Sequence, residues 1–379
     1  MNADAKTFLK ECLKIYSPSE QEKDFADFLA KFLENSGFKV KFDNVGNLIA
    51  KKGSGKPVFL LITHLDTIPG ELAVEEKEGK IYGRGVVDCK SSLAAMVYSI
   101  SRYDFNNEKA GKIIFTGIVQ EKNSIIGIEE FLKTQIKPDC AIIGAPTKIN
   151  QICIGYKGRL CIGYRVLSQS GHVASSWEYV NAIDVCMEIW KMIKGVCWQL
   201  TDIFCPKGTE LRYYNQIIPT LTVISGGMLT DCVPSQCEMH IDIRFPAIVK
   251  IENLVNEIRK SVINFKEVYQ QQFNMKFQVK ENITSLLQGV ESKEDELVIQ
   301  ALRGAILNNI EVEPNIIKKT GTTFLNAINI HYGIPSITYG PGDPKLEHSK
   351  EDFIEIDEYL KSIEIYSNFF DKLFELYKK

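Results

Sequence analysis

The stretch PVFLLITHLDT, residues 57–67, decides the fold. Val58 to Ile62 is unbroken apolar sequence, and a polar tail of Thr63, His64, Asp66 and Thr67 follows it around a single leucine. A short continuous apolar run of this kind reads as a strand buried on both faces, the central-strand type of a parallel sheet. Its polar tail then stands at the carboxyl end of the strand, where open α/β sheets place their active sites.

Working outward, the pattern alternates. DAKTFLKECLKIY (4–16) has helical apolar spacing, SPSEQ (17–21) breaks it, and Ser19 is placed to cap a second helix that ends at Gly37. KVKFDNVGNLIAKKG (39–53) reads as strand, SSLAAMVYSISRY (91–103) as helix, KIIFTGIVQ (112–120) as strand, GIEEFLKTQ (127–135) as helix and DCAIIGA (139–145) as strand. Strands alternating with helices predict an α/β domain with a doubly wound, mostly parallel sheet. Near residue 157 the order changes to a half-exposed strand, GRLCIGYRVLSQS (158–170), one long helix, two strands joined by a Gly-containing loop, another helix and another strand. That predicts an inserted α+β module with an antiparallel sheet. The α/β pattern resumes with helix 294–309, strands 313–321 and 334–340, and a closing helix from 357. The expected division is 1–157 for the first part of the α/β domain, 158–282 for the insert and 283–379 for the second part.

Composition narrows the function. The 379 residues suffice for two domains. A net charge of −3 without a basic cluster argues against nucleic-acid binding. No apolar run approaches a membrane span. Residues 1–20 carry charges where a signal peptide needs an apolar centre. The ten cysteines show no CxxC pair, which points to free thiols in a reducing cytoplasm.

Polar residues gather beside the apolar runs: His64 and Asp66 in THLDT, Asp88 in GRGVVDCK, Glu121 in VQEK, and His348 in YGPGDPKLEHS. Histidine and aspartate are zinc-type ligands, and in His-x-Asp the carboxylate can orient the ring. Singly, each has an ordinary explanation. Asp88 could cap the helix after it, Glu121 could face water, and GPGD is a turn signal.

Together the pieces HLDTIPG, IYGRGVVDCK, IIGAPT, GYKGRL and YGPGDPKLEHS resemble the zinc-dependent aminoacylase and carboxypeptidase superfamily. Within it they are most similar to the acetylornithine deacetylase branch, which includes hydrolases that release lysine or ornithine from an amino-group carrier protein. The resemblance spans nearly the whole chain and implies a catalytic domain with an inserted lid and dimerisation domain. It implies zinc or cobalt as cofactor. His64 would bind the first metal with Asp66 orienting it, Asp88 would bridge two metals, and His348 would bind the second. Glu121 would be the general base. His172, in SGHVASS, would reach a partner subunit's site in a homodimer, with a surface-loop histidine as the plain alternative. Arg244, in DIRFP, would touch the substrate carboxylate. The implied substrate is an N-acyl amino acid or a carrier-protein conjugate.

Three positions depart from that pattern. The family has two adjacent carboxylates after the strand, and here Lys122 follows Glu121. The family's GEP motif, whose carboxylate binds the first metal, is here Gly144-Ala145-Pro146. Phe324, in GTTFLN, stands near where relatives carry an aspartate at the substrate pocket. Each metal position is thereby left with two protein ligands, His64 and Asp88 or Asp88 and His348. Lys122 reads as an ammonium standing in for the charge of a lost metal. A register slip would make Gln120 the base, and a neutral amide cannot take a proton. The remaining alternative is a non-catalytic paralogue that binds an amino-acid conjugate or regulates an active homologue.

Overall fold

Apolar runs that cannot face water on either side need neighbours on both edges and cover on both faces. The Val58–His64 strand finds them: every residue from Phe59 to His64 is buried. It pairs in parallel with Lys112–Ile118 on one side and Cys140–Gly144 on the other. Ser336–Tyr339 continues the parallel run beyond Cys140–Gly144. Antiparallel strands complete a nine-stranded mixed sheet, with Lys39–Phe42 and Leu48–Gly53 at one end and Gln151–Tyr156 towards the other. The computed structural model describes residues 2–105, 111–204, 212–347, 349 and 351–378.

These residues form two compact units, Met1–Gly155 with Ser292–Lys318 and Ala327–Lys379, and Tyr156–Glu291 with Lys319–Asn326. In the first, helices Asn2–Lys14, Lys23–Asn35, Ser91–Arg102, Leu297–Ile310 and Ile356–Leu376 pack with the sheet into one core. Phe59 meets Phe369 of the last helix at 5.2 Å between ring centres. Burying a ring of that kind contributes about 1.5–3 kcal/mol. Lys90 is also buried here, with Nζ donating to Cys12 O at 2.9 Å and to Ile15 O beside the end of the first helix. A lysine there satisfies carbonyls that the helix leaves open.

The second unit holds a four-stranded antiparallel sheet in the order Ile218–Gly226, Gln236–Phe245, Gly158–Leu167, Gln278–Leu287. Burial alternates along Gln236–Phe245, the period of a sheet covered on one face. Helices Ala182–Phe204 and Ile251–Phe273 share that core. Among the described residues, no helix is long and apolar enough to cross a membrane, and every cysteine is a free thiol.

Two local readings are corrected, and one element is added. Ser19 caps no helix: the second helix starts at Lys23 with Glu22 before it and no side-chain cap. Residues 39–53 make two strands, with the Asp43 carboxylate accepting the Val45 and Asn47 N–H groups in the turn between them. GTTFLN runs into a helix, Phe324–Tyr332, that its short apolar spacing does not announce.

Candidate active site

Parallel pairing sets His64 opposite Ile118. The chain therefore leaves both strands at the same edge, and Leu65 N donates to Ile118 O at 2.8 Å. Residues 65–66 and 119–122 run on side by side. Asp66, with no side-chain exposure, uses both oxygens on that neighbour: Oδ1 accepts Glu121 N at 3.1 Å and Oδ2 accepts Lys122 N at 2.9 Å. Ser19 Oγ donates to Oδ2 at 2.6 Å. Gln120 N donates to Glu22 Oε1 at 2.8 Å. Burial raises the carboxyl pKa of Asp66, but His64, Ser19 and the Lys122 N–H outweigh it and bring it down to about 2.

The His64 ring is oriented by the same residue. Nδ1 donates to the Asp66 backbone oxygen at 2.8 Å, with Asp66 Oδ1 at 3.4 Å. The carbonyl, rather than the expected carboxylate, is thus the nearer partner. That bond leaves Nε2 as the nitrogen able to bind a metal, and it faces Asp88 Oδ1 at 3.1 Å. Burial works against protonating the ring, Cys89 works for it, Lys122 against and Asp88 for, and the balance raises its pKa.

Asp88 and Cys89 sit outside regular helical geometry, just before helix Ser91–Arg102, and Asp88 does not cap it. Lys122 Nζ lies 2.5 Å from Asp88 Oδ2 and 3.0 Å from Glu121 Oε2. Burial alone would lower the Lys122 pKa, but Asp88 and then Glu121 raise it, so it stays an ammonium. The Gln120 side chain instead accepts from Ser124 Oγ at 3.2 Å.

Of the residues expected at the site, His64, Asp66, Asp88 and Glu121 come together in the first unit. His348 lies outside the described residues. The second unit holds His172, Arg244 and Phe324. His172 is exposed, its Nδ1 accepting Ala174 N at 3.1 Å. Arg244 Nε donates to Asp242 Oδ1 at 2.6 Å, and Arg159 Nε donates to Asp242 Oδ2 at 2.7 Å. Phe324 is buried.

The model of peptidase family M20/M25/M40 matches residues 60–372. The chain belongs to this family.

A Pyrococcus furiosus relative is 30% identical over 368 residues, covering 95% of this chain and 94% of its own. A Sulfurisphaera tokodaii relative, named LysW-lysine/LysW-ornithine hydrolase, is 28% identical and covers 97% and 95%. Among solved structures, aminopeptidase PepT of Bacillus cereus superposes with a TM-score of 0.80 at 18% identity over 98% of this chain and 99% of its own. The YXEP protein of Bacillus subtilis, described as a dinuclear metal-binding peptidase of family M20, gives 0.71 at 10% identity over 99% and 98%.

This M20 chain offers donors for one divalent ion among its described residues: a His64 ring nitrogen, an Asp88 oxygen and Cys89 Sγ lie within 4.8 Å of one another. One imidazole, one carboxylate and one thiolate suit zinc. Ala145 offers no side-chain donor, and the Lys122 ammonium is already bound to the other Asp88 oxygen. Sequence reasoning missed Ser19, Glu22 and Cys89. Only Cys89 carried a signal, a metal-binding residue type next to Asp88.

Replacing Asp66 by asparagine presents an amide N–H₂ to backbone or hydroxyl donors. The folded-state carboxyl pKa, about 2, lies below the ordinary aspartate value of about 3.9. Its contribution, roughly 2 kcal/mol, is present above about pH 4 and disappears as pH falls through about 2. Urea unfolding of the Asp66→Asn variant at pH 7 is expected to show a loss of about 2 kcal/mol, and the difference from wild type narrows as the pH is lowered through that window.

Proposed function

We propose that the chain is an amidohydrolase that frees lysine, ornithine or a similar amino acid from an N-acyl or carrier-protein conjugate, using one metal position instead of two. One observation carries this reading: the Lys122 ammonium sits between Asp88 and Glu121, at 2.5 Å and 3.0 Å. Relatives named LysW-lysine/LysW-ornithine hydrolase over nearly their full length support the substrate class.

The residues then divide the work. Glu121, the most exposed carboxylate of the cluster, takes the proton from the attacking water. Asp66 fixes His64 and the Glu121 backbone. Lys122 places a permanent positive charge where negative charge develops, an electrostatic contribution that needs no reorganisation. Arg244 is proposed for the substrate carboxylate or its surroundings, and His172 for the developing oxyanion at a partner subunit's site. A bound zinc or cobalt ion would be held by His64 and Asp88 and would supply Lewis acidity.

The second reading, a conjugate-binding protein without turnover, is favoured by the same Lys122 contact, because the ammonium occupies Glu121 Oε2. Deacylation assays on acetylornithine and a carrier-linked lysine, with added zinc, separate the two. Turnover that is lost in Glu121→Gln supports the hydrolase. Saturable binding with no turnover in either form supports the binding protein.

Metal analysis after zinc loading is expected to give about one equivalent per chain, rising towards two in Lys122→Glu, where a carboxylate replaces the repelling cation. Two equivalents in the unaltered protein contradict the proposal.

The homodimer is proposed on the edge strand Ile218–Gly226, which pairs on one side only among the described residues. It exposes Val223 and Ile224, and the neighbouring helix exposes Trp198. An apolar open edge is a template for a second strand. Sedimentation at micromolar concentration is expected to show a dimer, and Val223→Lys a monomer.

A further inference from the structure

With Ala145 in place of a carboxylate, one metal position is left with His64 and Asp88, a ligand fewer than a catalytic zinc site normally has. The atom nearest to filling that gap is a sulfur. Cys89 Sγ lies within 4.8 Å of both a His64 ring nitrogen and an Asp88 oxygen. Its immediate partners are Thr63 Oγ1 at 2.8 Å and His64 O at 3.4 Å. Thr63 Oγ1 also donates to Gly144 O at 2.9 Å, at the end of the strand that leads into Ala145. The thiol therefore stands between the His64 strand end and the strand end from which the carboxylate is missing. It is 1% exposed and has no disulfide partner.

We propose that Cys89 is the third protein ligand of a single metal site, with His64 Nε2 and Asp88, in place of the carboxylate lost at Ala145. This rests on the one-metal reading above for the number of ions and adds the identity of the donor. Donors around a tetrahedral zinc with bonds of about 2.0–2.3 Å lie nearer one another than 4.8 Å, so a small turn of the Cys89 and Asp88 side chains closes the set. On binding, the thiol gives up its proton to solvent and the sulfur takes the ion, as metal binding to cysteine requires. Thr63 remains against the sulfur to hold its direction. Charge also balances. The ion's two positive charges meet Asp88 and the Cys89 thiolate, while the Lys122 ammonium meets Glu121.

The ordinary alternative is a cysteine that fills space beneath the strand ends. Titration of the full-length protein with cobalt(II), followed by near-ultraviolet absorption, separates them, because a sulfur ligand gives an intense charge-transfer band and nitrogen or oxygen ligands do not. The expected result is one cobalt per chain with that band, together with proton release. In Cys89→Ser, with folding checked by circular dichroism, the band is lost and affinity falls by more than about tenfold, the low end of what even outer-shell changes cost. If Cys89→Ser does not fold, Cys89→Ala serves, and the wild-type spectrum alone still decides. One bound cobalt without the band overturns the Cys89 assignment and leaves the one-metal reading standing. Two bound with the band overturns that reading and leaves Cys89 as a ligand. No bound cobalt overturns both.

Discussion

Three consecutive backbone N–H groups, those of Gln120, Glu121 and Lys122, donate to two buried carboxylates, Glu22 and Asp66. The candidate site depends on that constraint. It exists because parallel pairing brings His64 level with Ile118, so the two chains leave the sheet together. With the amides held there, the Lys122 side chain reaches both Asp88 and Glu121. Gln120 is turned the other way, onto Ser124. A one-residue slip, with Gln120 in the role of the base, would need its side chain turned off Ser124. Asp66 earns its place twice, since its backbone oxygen also sets which nitrogen of His64 is free.

The consequence is electrostatic. Two carboxylates close together, as Asp88 and Glu121 are, need a cation between them. In a two-metal site that cation is a metal ion, and here it is the Lys122 ammonium. The two differ in what they supply. Both place positive charge beside Asp88, but only a metal brings the pKa of bound water from about 15.7 to about 7. A chain with one such position keeps that chemistry at His64 and Asp88, and spends Lys122 on charge alone.

Much of this is legible in the sequence. The unbroken apolar run 58–62 marks a strand buried on both faces, and the polar tails of such strands mark the edge where His64, Asp66 and Glu121 meet. What was not legible depends on contacts between segments distant in sequence. Ser19 follows a proline and precedes a helical pattern, so local chemistry suggests a cap, yet its hydroxyl is drawn to Asp66, 47 residues on. Helix Phe324–Tyr332 has only two or three turns, too few for its apolar spacing to stand out. Cys89 lies where the backbone is neither helix nor strand, so no periodicity points its side chain anywhere. Its neighbours, Thr63 and His64, come from another strand.

The central claim is that a lysine holds the place of one metal. A crystal structure grown with zinc, with diffraction recorded on both sides of the zinc absorption edge, tests it most directly. The account predicts one anomalous peak per chain, within bonding distance of His64 Nε2 and Asp88, with the Lys122 ammonium still on the other Asp88 oxygen. Two peaks bridged by Asp88, with Lys122 swung away, would contradict it.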